Sequence, residues 1–163
     1  MSKDHFSVDG ALIEAWASIK SFQPRDGGPS KRSGRNGEVD FHGQSLKNDT
    51  HGSTTDPESR LYRKGKGKES KLCYMGHTLM ENLNGLVLDA RVTPATGTVE
   101  REAAVDMILN IPGKRRVTVG ADKGYDTEAF VATLCSMSAT PHVAQNDTNR
   151  RSDTPRGKRV LLA

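Results

Sequence analysis

Val119-Gly120-Ala121-Asp122-Lys123-Gly124-Tyr125-Asp126 is the stretch on which the fold turns. Upstream of it, Arg116 to Asp122 alternates. Val117, Val119 and Ala121 share one face, and Thr118, Gly120 and Asp122 the other, which is the period of a strand. Asp122 therefore stands at a strand end, just before a glycine-containing turn. Downstream, Asp126 can cap a helix carrying Phe130, Val131, Leu134 and Met137. Thr140 to Gln145 reads as a last short strand, in which Pro141 favours a sheet edge. Strand, turn, helix and strand in that order predict an α/β crossover.

The same arrangement recurs near the start. In His5 to Asp9, Phe6 and Val8 lie on one face and Ser7 and Asp9 on the other, and Gly10 follows. Leu12, Ile13, Trp16 and Ile19 then fall at helical spacing, so a helix is expected after Gly10, with Trp16 packed on it. Leu72 to Met80 and Leu86 to Val92 read as a hairpin with Asn84-Gly85 at its tip. A helix is expected over Val99 to Ile111. Thr98 is its N-cap, Glu100 and Glu102 suit its first turn, and Ala104, Met107, Ile108 and Ile111 form its apolar stripe. The order is strand, helix, insertion, hairpin, helix, strand, helix, strand, which predicts a mixed sheet. A right-handed crossover can bring the Asp122 strand beside the Asp9 strand, with both carboxylates at one sheet end.

Gln23 to Lys71 differs in character. It holds eight of the sixteen glycines and few apolar residues, too few to offset ordering entropy, so a mostly irregular, mobile insertion is expected. The chain has 163 residues with 34% hydrophobic content, which suits one domain with a small core. A formal charge of +4 permits a polyanionic partner. Cys73 and Cys135 have no CxxC spacing and read as buried thiols. No apolar run reaches the length of a membrane span and no signal peptide is recognised. A soluble, cytoplasmic protein without a membrane partner is the expectation. Five histidines lack zinc-ligand spacing.

Two strand-end carboxylates one strand spacing apart can bridge Mg²⁺ or Mn²⁺, which prefer oxygen ligands. With a third acid, two ions can sit roughly 3.5–4 Å apart and stabilise both oxygens of a phosphodiester displacement. Strand-end aspartates also cap helices and close turns, so the spacing alone leaves both readings open.

Four blocks decide between them. Phe6 to Ser18 resembles the first catalytic block of bacterial insertion-sequence transposases of the DDE type. His51 to Lys64 is similar to that family's linker, Gly120 to Asp126 to its second catalytic block, and Thr140 to Asn146 to the strand after it. The resemblance covers about residues 5–151. It implies an RNase H-like fold, here an α/β mixed sheet with flanking helices. It also implies Mg²⁺- or Mn²⁺-dependent DNA cleavage and strand transfer in DNA transposition. Asp9 and Asp122 match its first two acids and would be catalytic metal ligands. The implied partner is double-stranded DNA, as transposon ends and target, with homo-oligomers in intact relatives. The family's third acid, a glutamate on a later helix, has no match in residues 152–163, which are expected to be a divergent, unstructured tail. Glu128 and Asp153 are not expected to replace it. The expectation is thus a partial catalytic domain over residues 1–151, catalytically incomplete. The alternatives are a non-catalytic DNA-binding remnant or an unstable product of a decaying element.

The insertion ends in a basic cluster, Arg60, Arg63, Lys64, Lys66, Lys68 and Lys71, offset by Glu69, with Gly65 and Gly67 allowing close backbone approach. Contact with the DNA backbone is one reading and a solvated basic loop the other; the resemblance favours DNA. Lys123 adjoins the second acid and is either a phosphate contact or an exposed turn lysine.

Overall fold

The computed structural model describes residues 5–26, 46–65, 67–113 and 116–146. The strands are β1 (His5–Glu14), β2 (Phe22–Pro24), β3 (His51–Ser53), β4 (Arg60–Tyr62), β5 (Lys71–Glu81), β6 (Leu86–Pro94), β7 (Val117–Ala121) and β8 (Ala139–Val143). The helices are α1 (Val99–Leu109) and α2 (Glu128–Ser136), with short 3₁₀ turns at Ile19–Ser21 and Lys123–Tyr125. No helix among the described residues is long and apolar enough to cross a membrane. The chain forms two compact units. One comprises the described parts of Met1–Ala11, Gly76–Arg91 and Thr98–Ala163; the other comprises those of Leu12–Met75 and Val92–Gly97.

The first unit carries the expected mixed sheet, in the order β6-β5-β1-β7-β8. β7 runs parallel to β1, and β8 parallel to β7. The bond from Asn82 N–H to the His5 carbonyl joins the end of β5 to the start of β1, so these two strands run antiparallel. This is the mixed α/β sheet that the order of elements predicts. Its core is the face predicted from alternation: Phe6, Val8 and Val119 from the strands, Ala104, Met107 and Ile108 from α1, and Phe130 and Leu134 from α2. β8 ends the sheet order, as Pro141 suggests. The hairpin tip falls where expected, with Gly85 at φ +67, a conformation that suits glycine.

Several expectations are corrected. No helix follows Gly10: β1 continues through it to Glu14. In the second unit, Ala15 N–H donates to the Leu72 carbonyl and Lys71 pairs with Glu14, so cross-strand bonds outweigh the helical spacing. Trp16 consequently packs on nothing and is 99% exposed. The Thr98 side chain makes no capping bond to α1. Asp126 does not cap α2; Thr127 does, accepting from Phe130 N–H, while Asp126 Oδ2 accepts from Asn146 N–H at 2.8 Å. Cys73 is buried as expected, but Cys135 is exposed. Leu86, Val87 and Leu88 on β6 are all exposed, so its alternation marks no buried face.

The second unit gives the insertion more structure than its composition suggests. β2 and β3 pair antiparallel, and β4 pairs with β5 with Tyr62 opposite Lys71. Small polar groups replace a large core. Ser53 Oγ accepts from the N–H groups of Thr55 and Asp56, and the Tyr74 hydroxyl donates to Asp56. Phe22 is buried and stacks on His51 at 5.6 Å between ring centres. Residues 27–45 of the insertion and 152–163 of the expected tail lie outside the described residues.

His77 is 1% exposed. Burial first, then the Arg91 charge, lowers its pKa below the ordinary 6.5. The folded chain holds it neutral, whereas the unfolded chain takes up a proton below about pH 6.5. The contribution is complete above that pH and is lost as pH falls. The melting temperature should therefore drop between about pH 7 and pH 5. A His77→Gln variant should show a shallower slope; an unchanged slope would exclude His77 as its source.

Candidate metal and DNA site

The pairing of β1 with β7 sets His5 opposite Thr118, Phe6 opposite Val119 and Ser7 opposite Gly120. Pairing stops at Ser7 and Gly120 and β7 ends at Ala121; Asp9 and Asp122 each lie two residues beyond that last pair. Alternation keeps both on the Ser7/Gly120 face. A side chain added at Gly120 would meet Ser7 Oγ at 3.3 Å, so the two strands face each other closely there. Both acids therefore follow the last β1–β7 pair at one end of the first unit's sheet.

Each carboxylate accepts a backbone N–H from its own segment. Asp9 Oδ1 accepts from Gly10 N–H, and Asp122 Oδ1 from Gly124 N–H, both at 2.8 Å. Asp122 is also the N-cap of the Lys123–Tyr125 turn, so the turn-closing role holds for it. That role leaves it exposed, as Asp9 is.

Tyr125 lies buried beneath this end and stacks, tilted, on Phe130 at 5.4 Å. Burial raises its hydroxyl pKa above the ordinary 10, and the charges of Glu100, Asp9 and Asp122 raise it further, against Arg101. Three carboxylates therefore act on one phenol. Glu100 is the one that the sequence reading missed as part of the site. It was read as a first-turn acid of α1, and nothing in the sequence ties it to Gly10. A Cβ added at Gly10 would lie 2.6 Å from Glu100 Oε1, so α1 starts close against β1 at the residue after Asp9. Among the described residues, no three His, Cys, Asp or Glu side chains form a group able to hold a metal ion.

The basic candidates divide. Arg60 spends its guanidinium on its own turn, donating to the carbonyls of Pro57, Glu58 and Ser59. Lys71 is tied to Glu14, which raises its pKa. Arg63, Lys64 and Lys68 are exposed, and so is Lys123 in the first unit. Lys66 lies outside the described residues.

Comparison of the sequence with curated proteins finds no match. Among solved structures, the chain is similar to the cryo-EM structure of the piggyBac transposase synaptic complex with hairpin DNA. The TM-score is 0.49 at 10% identity, over 90% of this chain and 24% of that one, so this chain spans about a quarter of that protein's length. Residues 39–161 match the profile of the transposase DDE domain, a span that contains Asp122 and begins after Asp9. The chain belongs to the transposase DDE domain family.

Proposed function

We propose that this chain carries the acid-bearing sheet of a transposase catalytic domain. It binds a divalent cation through Asp9 and Asp122 and contacts DNA through the cluster from Arg63 to Lys71 and through Lys123. The observation that supports this reading is the parallel β1–β7 pairing, whose last pair lies two residues before Asp9 on one strand and two before Asp122 on the other. Two hard, exposed carboxylates suit Mg²⁺ or Mn²⁺, which fill their remaining positions with water. When bound, such an ion supplies charge neutralisation at a phosphodiester and activation of the attacking oxygen. Asp9 and Asp122 orient it, each steadied by a backbone N–H, and Lys123 offers a positive charge to a neighbouring phosphate. Two acids make an incomplete set for the family's cleavage and strand transfer, so the purified chain binds metal and DNA with little strand transfer.

Glu100 contributes charge rather than ligation. Glu100→Gln should weaken Mn²⁺ binding by about threefold to tenfold. A titration followed by electron paramagnetic resonance measures this, and no change would remove Glu100 from the site.

The test of the whole reading is Mn²⁺ binding by the intact chain, together with cleavage of labelled duplex DNA. Binding without strand transfer is expected. Robust Mg²⁺-dependent cleavage that Asp9→Ala abolishes would show the catalytic set to be complete. Absence of Mn²⁺ binding would overturn the metal reading and leave a DNA-binding remnant.

A further inference from the structure

The second unit contains a cavity of about 490 Å³ lined by Lys64, Lys68, Lys71, Tyr62, Leu12 and Glu14, among others. Its floor is apolar, since Leu12 lines it beside the buried Cys73. Its cations come from the strap after β4 and from the first residue of β5. Glu14 and Glu69 also line it, but Glu14 is already paired with Lys71. Two residues beyond Glu14, within about 7 Å along the chain, stands Trp16. It is 99% exposed, whereas every other exposed large apolar side chain among the described residues is 66% exposed or less. An indole leaves about 200 Å² of ring surface in water when uncovered, which is unfavourable unless a partner covers it.

We propose that this cavity and Trp16 together bind an unpaired stretch of DNA strand, with phosphates at Lys64 and Lys68 and a base stacked on the Trp16 indole. This deepens the DNA-binding reading above and rests on it. Charge selects the ligand. The strap from Arg60 to Lys71 has six basic residues against one acidic, and its glycines open the backbone to a phosphate chain. Shape selects the form of that ligand. A concave pocket next to an exposed ring suits a base whose face is available, and in duplex DNA those faces are hidden in the stack. Aromatic rings beside a cationic groove are the common chemistry of strand binding without sequence preference.

Trp16 is the chain's single tryptophan, so its emission reports on this site alone. The test titrates the full chain with oligothymidylate and, separately, with a DNA hairpin duplex of equal length. The expected result is quenched, blue-shifted emission with the strand and a much smaller change with the duplex. In anisotropy with labelled DNA, Trp16→Ala should weaken strand binding about tenfold, and Trp16→Phe should recover most of it. Duplex affinity should stay within about twofold in Trp16→Ala, because few phosphate contacts change. Replacing Lys64 and Lys68 by Gln should lower the strand's log–log salt slope by about 1.4. Strand binding with unchanged emission, or an unaffected Trp16→Ala, would overturn this proposal while leaving DNA binding standing. No binding of strand or duplex would overturn both. A concentration-dependent blue shift without DNA would show a second copy covering the indole, and would also overturn it.

Discussion

Mn²⁺ at about one hundred times its dissociation constant should stabilise the chain by about 2.7 kcal/mol, raising its melting temperature by roughly 5–10 °C, and Asp9→Asn or Asp122→Asn should abolish that rise. Each variant removes one oxygen donor and one charge from the proposed pair. A metal-free effect of opposite sign should accompany the loss. Like charges on neighbouring strands repel by about 0.2–1 kcal/mol, so each variant without metal should melt no lower than the parent, provided its turn bond survives. Asn retains an oxygen for that bond, which is why Asn serves better here than Ala. Asp126→Asn is the matched control. It keeps an oxygen for Asn146 N–H and belongs to no acid pair, so it should leave both the melting temperature and the Mn²⁺ rise close to the parent's. If Asp9→Asn and Asp122→Asn still show the parent's rise, the cation sits elsewhere and the two-acid site is wrong.

Much of this site was legible because strand alternation and turn residues are local signals. Val117 to Asp122 alternates over a run that truly has one buried face, so β7 and the position of Asp122 could be read directly. The neighbouring strand, β1, was legible only as far as Asp9. Beyond Gly10 the spacing of Leu12, Ile13, Trp16 and Ile19 matches a helix, but backbone bonding to Leu72 and the Lys71–Glu14 pair hold it as a strand. Those partners lie nearly sixty residues away and no local pattern shows them. β6 was legible as a strand, although Leu86, Val87 and Leu88 are all exposed. Glu100 was invisible for the same reason as Leu72. Its approach to Gly10 is a consequence of how α1 returns to the sheet, and sequence spacing carries no trace of that. The cap of α2 was misplaced by one residue because Asp126 and Thr127 are both good caps, and Asp126 was drawn to Asn146.

Phe130→Ala should cost about 3–5 kcal/mol of stability and also weaken Mn²⁺ binding roughly tenfold, although it touches no ligand. The stability loss follows from burial: Phe130 is 3% exposed, within the core shared by α1, α2 and the sheet. The metal effect follows from Tyr125. Its ring rests on Phe130, and its N–H donates to the Asp122 carbonyl, closing the turn that aims the Asp122 carboxylate. Without Phe130 the tyrosine loses its support, the turn loosens, and the two acids are no longer held in one geometry. A general loss of stability must be separated from this specific one. Phe22→Ala serves, since Phe22 is 1% exposed and belongs to the other compact unit. It should lower the melting temperature by a similar amount while leaving the Mn²⁺ affinity of the folded chain unchanged. Phe130→Leu, which refills most of the cavity, should recover the greater part of both effects. Equal Mn²⁺ affinity in Phe130→Ala and the parent, measured well below the melting temperature, would mean that Asp122 is aimed by its strand alone. The 3₁₀ turn and its tyrosine would then be packing without a part in the site.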